Sequence, residues 1–171
     1  MRILLLLLLL PSFAFADFET KAKAQSDALK KGLLAKLTEK ITEKGVVKAV
    51  EFCHEEALPL TGELESHKLK MGRTSFKFRN PKNAPEEWVK PYLEAAKGTN
   101  PKSPFKEQVI VLKDGAKFFL SPLYVAPQCL QCHGNPSGEL GQKIKQLYPN
   151  DLATGYKPGE FRGFVWVKES F

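Results

Sequence analysis

Hydrophobic residues recur at helical spacing over the first third of the chain. Residues 17–44 have the composition of an amphipathic helix, and their apolar stripe consists of Leu29, Leu33, Leu37 and Ile41. Apolar positions four residues apart lie on one helix face, so this stripe predicts a long helix with one buried side. Gly45 stands where such a helix stops or bends, and a second helix is predicted from Val46 to about Leu60.

The pattern changes in the second half of the chain. A third helix is predicted over residues 84–98, kinked or interrupted at Pro91. The segments EQVIVL and AKFFLSPLYV then flank Asp114-Gly115, a dipeptide typical of tight hairpin turns. A short helix over residues 138–147 and a terminal strand, FRGFVWV, follow. Helices around a small antiparallel sheet predict an α+β fold.

Residues 1–16, MRILLLLLLLPSFAFA, have the pattern of an export signal. Arg2 precedes an apolar run. Ala14 and Ala16 then form a small-residue A-x-A cleavage site, which predicts cleavage after Ala16. An uncleaved membrane anchor is the alternative, but spanning a bilayer takes about 20 apolar residues and this run is shorter. The remaining protein is therefore predicted to be periplasmic or otherwise exported, soluble after signal cleavage and without an integral membrane span.

Residues 17–171 have the length and composition of one domain with a single core. The whole chain is 43% hydrophobic, which is ordinary for a globular protein. Its formal net charge is +7, and loss of Arg2 with the signal lowers that value by one. The lysines are dispersed among glutamates along the predicted helices, whereas a nucleic-acid site needs them clustered on one face. We therefore expect no nucleic-acid partner.

The segment QCLQCHG carries the strongest chemical signal in the chain. It contains Cys129 and Cys132 with His133 directly behind, and the chain has only one further cysteine, Cys53. C-x-x-C-H is the attachment signature of c-type haem, in which two thiols bond the porphyrin and the adjacent imidazole binds the iron. In an exported chain this predicts one covalent haem c with His133 as proximal ligand.

Three other readings of the two cysteines remain open at this point. A zinc site needs two more ligands. A thioredoxin-like dithiol is expected at the start of a helix in a βαβ context, which the element order lacks. A disulfide between Cys129 and Cys132 is compatible with an oxidising compartment.

Four segments occur together in an order that resembles a known family. They are AVEFCHEEAL, RTSFKFRNPKNAPEEWV, FLSPLYVAPQCLQCHG and YPNDLATGYKPGEFRGFVWV, and they extend from Ala49 to Val167. The chain resembles the exported haem-c-binding family first catalogued as a domain of unknown function. This resemblance implies a PAS-like fold, with a small antiparallel sheet flanked by helices. It also implies haem ligated by histidine and cysteine, with His133 proximal and Cys53 distal.

The helical pattern around Cys53 supports an inward orientation. One face of the predicted helix is apolar and consists of Val46, Ala49, Val50, Cys53, Ala57 and Leu60. From the residues alone, Cys53 is equally well explained as a buried, inert cysteine. His54 and His67 are interpreted as surface or helix-edge histidines, and Met71 as a packing residue.

Several residues near these motifs are predicted to support the haem. The planar guanidinium groups of Arg73 and Arg79 suit paired hydrogen bonds to haem propionates, although rigidity of the RNPKNAP loop explains them as well. Tyr156 and Arg162 are interpreted as parts of a structural corner rich in glycine and proline.

Two functions fit these features. The first is a redox or small-ligand sensing module that acts through a separate signalling protein. The second is a low-potential one-electron carrier with a redox partner protein, because a thiolate ligand such as Cys53 favours ferric iron. We also hypothesise that reduction promotes protonation and loss of Cys53. An enzyme is not expected, because two protein ligands leave no open iron position and no acid/base constellation is visible.

Overall fold

The computed structural model describes residues 12–170 and begins with one long, kinked helix. Helix α1 runs Ser12–Glu63, and Gly45 inside it has non-helical dihedral angles, φ 80° and ψ 165°. Glycine adopts positive φ without steric cost, so it can join two helical segments at an angle. The predicted break at Gly45 is confirmed. Residues 1–11, which hold most of the predicted export signal, lie outside the described residues.

The remaining helices and strands follow α1 in a mixed order. They are β1 (Leu69–Thr74), α2 (Lys90–Ala95), β2 (Gln108–Val111), β3 (Lys117–Tyr124), α3 (Leu130–His133), α4 (Gly138–Leu147) and β4 (Phe161–Glu169). Short 3-10 turns precede α2 and α3, at Glu87–Val89 and Pro127–Cys129. The predicted α+β class is confirmed, and so are the short helix over 138–147 and the terminal strand.

The four strands form one antiparallel sheet in the order β1-β4-β3-β2. The β2–β3 hairpin closes as the sequence predicts, with Leu112 N donating to Ala116 O at 2.9 Å. Gly115 has φ 84°, and Asp114 Oδ1 accepts a hydrogen bond from Ala116 N at 3.0 Å. The turn therefore uses the left-handed conformation that glycine favours.

Two elements differ from the sequence-based expectation. Strand β1 was not predicted, and it is a strand because its whole length pairs with β4, from Leu69 opposite Glu169 to Thr74 opposite Phe164. The third helix is shorter than residues 84–98, and α2 begins beside Pro91 in its first turn. Proline is favoured at this position because the first helical N–H groups have no helical partner anyway.

The sheet separates two hydrophobic clusters. On one face, Phe18, Ala22 and Leu29 of α1 pack on the sheet. The sheet residues of this cluster are Met71, Phe119, Val165 and Val167. On the other face, α2 and its flanking residues contribute Val89, Leu93 and Ala96, which cluster with Ile110, Phe118, Leu120 and Phe164 of the sheet. Consecutive residues of β3 point to opposite faces, as Phe118 and Phe119 show.

The second part of α1 packs against α4 instead of the sheet centre. Val50, Ile144 and Tyr148 form a small cluster there, and the half-buried Cys132 packs against it. Another small cluster, containing Ala153 and Tyr156, packs against Cys129. The Cys129–His133 segment is thereby held between α1, α4 and the loop after α4. Within residues 12–170, no helix is both long and apolar enough to span a membrane.

Candidate functional site

The two cysteines of the C-x-x-C-H motif lie on one continuous helical stretch. The 3-10 turn Pro127–Cys129 runs directly into α3, and Cys129 N donates to Ala126 O at 2.9 Å. Gly134 ends the helix, and a Cβ atom at this position would lie 2.7 Å from Leu130 O. The stretch is short, so both thiols are presented by the same local structure. Cys129 and Cys132 are half-buried and free.

The structure weighs against the other readings of the motif. No disulfide joins Cys129 to Cys132. In the part of the chain that the structure describes, no group of three or more histidine, cysteine or acidic side chains is arranged to hold a metal ion. The sheet is antiparallel, so the βαβ context of a thioredoxin-like dithiol is missing.

His133 is held as a neutral imidazole with a defined tautomer. Its Nδ1 lies 2.7 Å from Ala153 O. A carbonyl oxygen can only accept, so Nδ1 carries the proton and the Nε2 lone pair stays free for a metal ion. Burial lowers the pKa of His133 to about 3, and the cations Arg162 and Arg79 contribute to the decrease. This is the arrangement that a metal-binding histidine requires.

Arg79 fixes both the motif and the carbonyl that orients His133. Its Nη2 donates to Cys132 O at 2.6 Å, and its Nε donates to Asp151 Oδ2 at 3.1 Å. Asp151 Oδ1 in turn accepts from Ala153 N at 2.8 Å. The Arg79 and Asp151 side chains are only 13% and 8% exposed. One buried ion pair therefore connects three segments of the site.

Cys53 lies on the second part of α1, on the side facing the motif. Burial raises the pKa of its thiol, Cys132 raises it further, and Arg73 and Arg79 lower it. Val50, three residues before Cys53 on the same helix face, packs in the cluster that contacts Cys132. The predicted inward face of this helix is confirmed, because Ala49, Val50 and Ala57 are buried.

Arg73 supplies a half-buried cation with a buried, unused hydrogen-bond donor. Its Nη2 lies 3.4 Å from Ala57 O, and its Nε has no partner among residues 12–170. Burial lowers the pKa of Arg73, while Cys53 raises it. Buried guanidinium N–H groups are normally satisfied, so this atom fits an anionic group such as a carboxylate. The guanidinium of Arg79, by contrast, is already bound to Asp151 and Cys132. The propionate contacts of both arginines stay predictions.

Residues 18–170 match the sequence profile of the Tll0287-like family. The chain belongs to the Tll0287-like family. The crystal structure of the cyanobacterial heme-protein Tll0287 is similar, with 19% sequence identity and a TM-score of 0.57. That similarity covers 92% of this chain and 94% of Tll0287, and it confirms the fold. No curated protein matches the chain. The family resemblance found in the sequence is thus confirmed.

The structure of this member of the Tll0287-like family also shows where the other possible iron ligands, His54, His67 and Met71, lie. His54 and His67 are exposed, as interpreted from the sequence. The His54 ring meets the Tyr148 ring edge-on, with 4.9 Å between centroids. Met71 is 4% exposed and packs in the core between α1 and the sheet, so it is a packing residue.

Sequence reasoning missed three residues that shape the site. Asp151 and Ala153 orient His133, and Tyr148 packs beside Cys132. The available signal was the NDLA segment, because aspartate often accepts a hydrogen bond from the backbone two residues later. That signal predicts a turn, but it does not identify which imidazole the turn will hold.

Proposed function

We propose that this chain binds one haem c covalently through Cys129 and Cys132, with His133 as proximal and Cys53 as distal ligand. The observation that carries the proposal is the state of His133, a half-buried neutral imidazole whose Nδ1 is bound to Ala153 O beside two free thiols. Membership of the Tll0287-like family supports it, since the similar protein Tll0287 is described as a heme-protein.

Each residue of the site has a separate part in this proposal. Haem supplies a one-electron ferric/ferrous couple when bound. The Arg79–Asp151 pair holds the attachment segment and the Ala153 carbonyl in place. Arg73 offers its unpartnered N–H to an anionic group next to Cys53.

We further propose that the protein works as a redox or small-ligand sensing module in the periplasm, with a separate signalling protein as partner. A low-potential one-electron carrier, acting with a redox partner protein, is the second candidate. The half-buried positions of Cys129 and Cys132 favour it, because they leave the attachment segment partly open to solvent. An enzymatic reaction is not part of either proposal.

The first experiment tests haem attachment and ligation. The full chain is produced with its leader in a bacterial host that attaches haem c, and the periplasmic fraction is purified. We expect one haem per chain that survives denaturation, and loss of covalent attachment when Cys129→Ser and Cys132→Ser are combined, because each thiol forms its own bond to the porphyrin. Cys53→Ser is the matched control, since it should retain covalent haem but lose the thiolate-type low-spin electron paramagnetic resonance signal. A colourless protein, or an unchanged signal in Cys53→Ser, contradicts the proposal.

A second measurement separates the two roles. Carbon monoxide is added to the ferrous protein and the absorption spectrum is followed. Binding of carbon monoxide, together with a changed ligand set on reduction, favours the sensor. An unchanged thiolate spectrum with fast, reversible electron exchange favours the carrier.

A further inference from the structure

A cavity of about 610 Å³ lies on the α2 side of the sheet, and no residue of the cysteine motif lines it. Three segments line it: residues 75–77 after β1, residues 97–100 after α2 and residues 158–162 before and in β4. Tyr156 also contributes to the wall, whereas Cys53, Cys129, Cys132 and His133 do not. The volume suits a small organic molecule.

Two cations in the wall have no acidic partner. Among residues 12–170, neither Lys77 nor Arg162 forms an ion pair. Lys77 Nζ donates to Thr154 O and lies 4.1 Å from the centre of the Tyr156 ring. Arg162 Nη1 donates to Lys77 O at 2.9 Å, and burial lowers the pKa of Arg162. A half-buried positive charge without a counter-charge is costly, and an anion in the cavity would compensate it.

The acidic groups nearby are already engaged elsewhere. Glu160 lines the cavity, but its Oε2 accepts a hydrogen bond from Lys157 N at 3.0 Å. The Asp151 carboxylate forms its ion pair with Arg79, and its charge acts on Arg162 only through longer-range electrostatic attraction. With Lys97, the wall contains three cations and only one carboxylate, that of Glu160, so its net charge is positive.

Three aromatic rings also contribute to the wall. Phe76, Tyr156 and Phe161 line the cavity, and the Arg162 guanidinium lies 5.3 Å from the Tyr156 ring centre. We propose that this cavity is a binding site for a small carboxylate with an aromatic or other apolar body. Lys77 and Arg162 receive the carboxylate, and the rings contact the apolar part. The corner that the sequence indicated around Tyr156 and Arg162 is thus assigned a binding role.

The test compares probes of equal size and different charge. Benzoate, benzamide and benzylammonium are titrated into the purified full-length protein by isothermal calorimetry. We expect saturable binding of benzoate at one site, at least about tenfold tighter than binding of benzamide, because charge-assisted hydrogen bonds exceed neutral ones. Benzylammonium should not bind.

Variants locate the site. Lys77→Gln should weaken benzoate binding about tenfold or more, and Lys77→Arg should restore much of it. The matched control is Lys157→Gln, which removes the same charge from an exposed position outside the cavity. Three results would each overturn the proposal: benzoate binding weaker than about 10 mM, equal binding of benzamide, or equal losses in Lys77→Gln and Lys157→Gln.

The cavity wall is bonded to the segment that carries the proposed iron ligand. Tyr156 N donates to His133 O at 3.0 Å, and the two rings meet edge-on at 6.3 Å between centroids. We therefore expect saturating benzoate to shift the absorption maximum of the haem-loaded protein. The expected absorption shift rests on the proposed haem function, while the calorimetric titration of benzoate does not. If the purified protein carries no haem but still binds benzoate, the missing haem contradicts the haem proposal and the cavity proposal stands.

Discussion

Removing Arg79 should destabilise the protein much more than removing one partner of an exposed ion pair does. The Arg79 and Asp151 side chains are 13% and 8% exposed, so solvent screens their interaction little. Deleting one partner of a buried ion pair leaves the other charge uncompensated and typically costs about 3–5 kcal/mol. Arg79→Ala also leaves Cys132 O without its donor. We expect a loss of about 3–5 kcal/mol in the free energy of unfolding.

The comparison that isolates this effect is a double-mutant cycle with Asp151. Asp151→Asn keeps an oxygen for Ala153 N but removes the charge that pairs with Arg79. In the double variant no buried charge is left unpaired, so its loss should be smaller than the sum of the single losses by about 1–3 kcal/mol. Lys97→Ala is the control, since Lys97 and Glu94 are 60% and 56% exposed. It should cost less than about 1 kcal/mol.

Urea unfolding measures these differences. All variants carry Cys129→Ser and Cys132→Ser, so that a covalently bound cofactor does not contribute to stability. Coincident transitions in far-UV circular dichroism and tryptophan fluorescence would establish two-state behaviour. The reasoning is refuted if Arg79→Ala costs no more than Lys97→Ala, or if the coupling between Arg79 and Asp151 is near zero.

Two further predictions concern backbone space and pH. Gly163→Ala should destabilise the protein by more than about 1 kcal/mol, because its Cβ would lie 2.2 Å from Thr74 O at φ +143°. Gly32→Ala, on the exposed helix with open space around the new methyl group, should stabilise by about 0.5–1 kcal/mol. Thermal melting of both variants checks this, and changes of the same sign would contradict it. Desolvation raises the pKa of Glu107, but the hydrogen bond from Lys23 helps to lower it overall. Its stabilising contribution is therefore present above the unfolded-state pKa of about 4.3 and is lost as the pH falls through the lower folded-state pKa. The stability difference between the parent chain and Glu107→Gln, taken from urea midpoints at several pH values, should shrink below about pH 4, and a constant difference would count against this assignment.

Elements with local causes could be predicted from the sequence. The break at Gly45 needs only a residue that tolerates positive φ. The β2–β3 hairpin follows from Asp114-Gly115 between two apolar segments. The C-x-x-C-H spacing places Cys129 and Cys132 on one short helical stretch.

The β1 strand could not be predicted in the same way. Its sequence, LKMGRT, has only two large apolar residues, Leu69 and Met71, and a glycine that weakens strand propensity. Gly72 lies against Trp166, whose Cζ2 would be 2.5 Å from an added Cβ. The strand thus depends on its neighbour β4, which is far away in the sequence.

The sequence by itself determined the attachment motif, the long N-terminal helix, the hairpin and the family, because each depends on residues close together or on a shared pattern. Only the tertiary structure decided what surrounds the motif. Arg79 meets Asp151 across 72 positions of the chain, and Ala153 O meets His133 across 20. The cavity likewise combines Lys77 with Arg162, 85 positions apart. Burial and charge pairing between such distant segments follow from the packing of the sheet and helices, which no local pattern specifies.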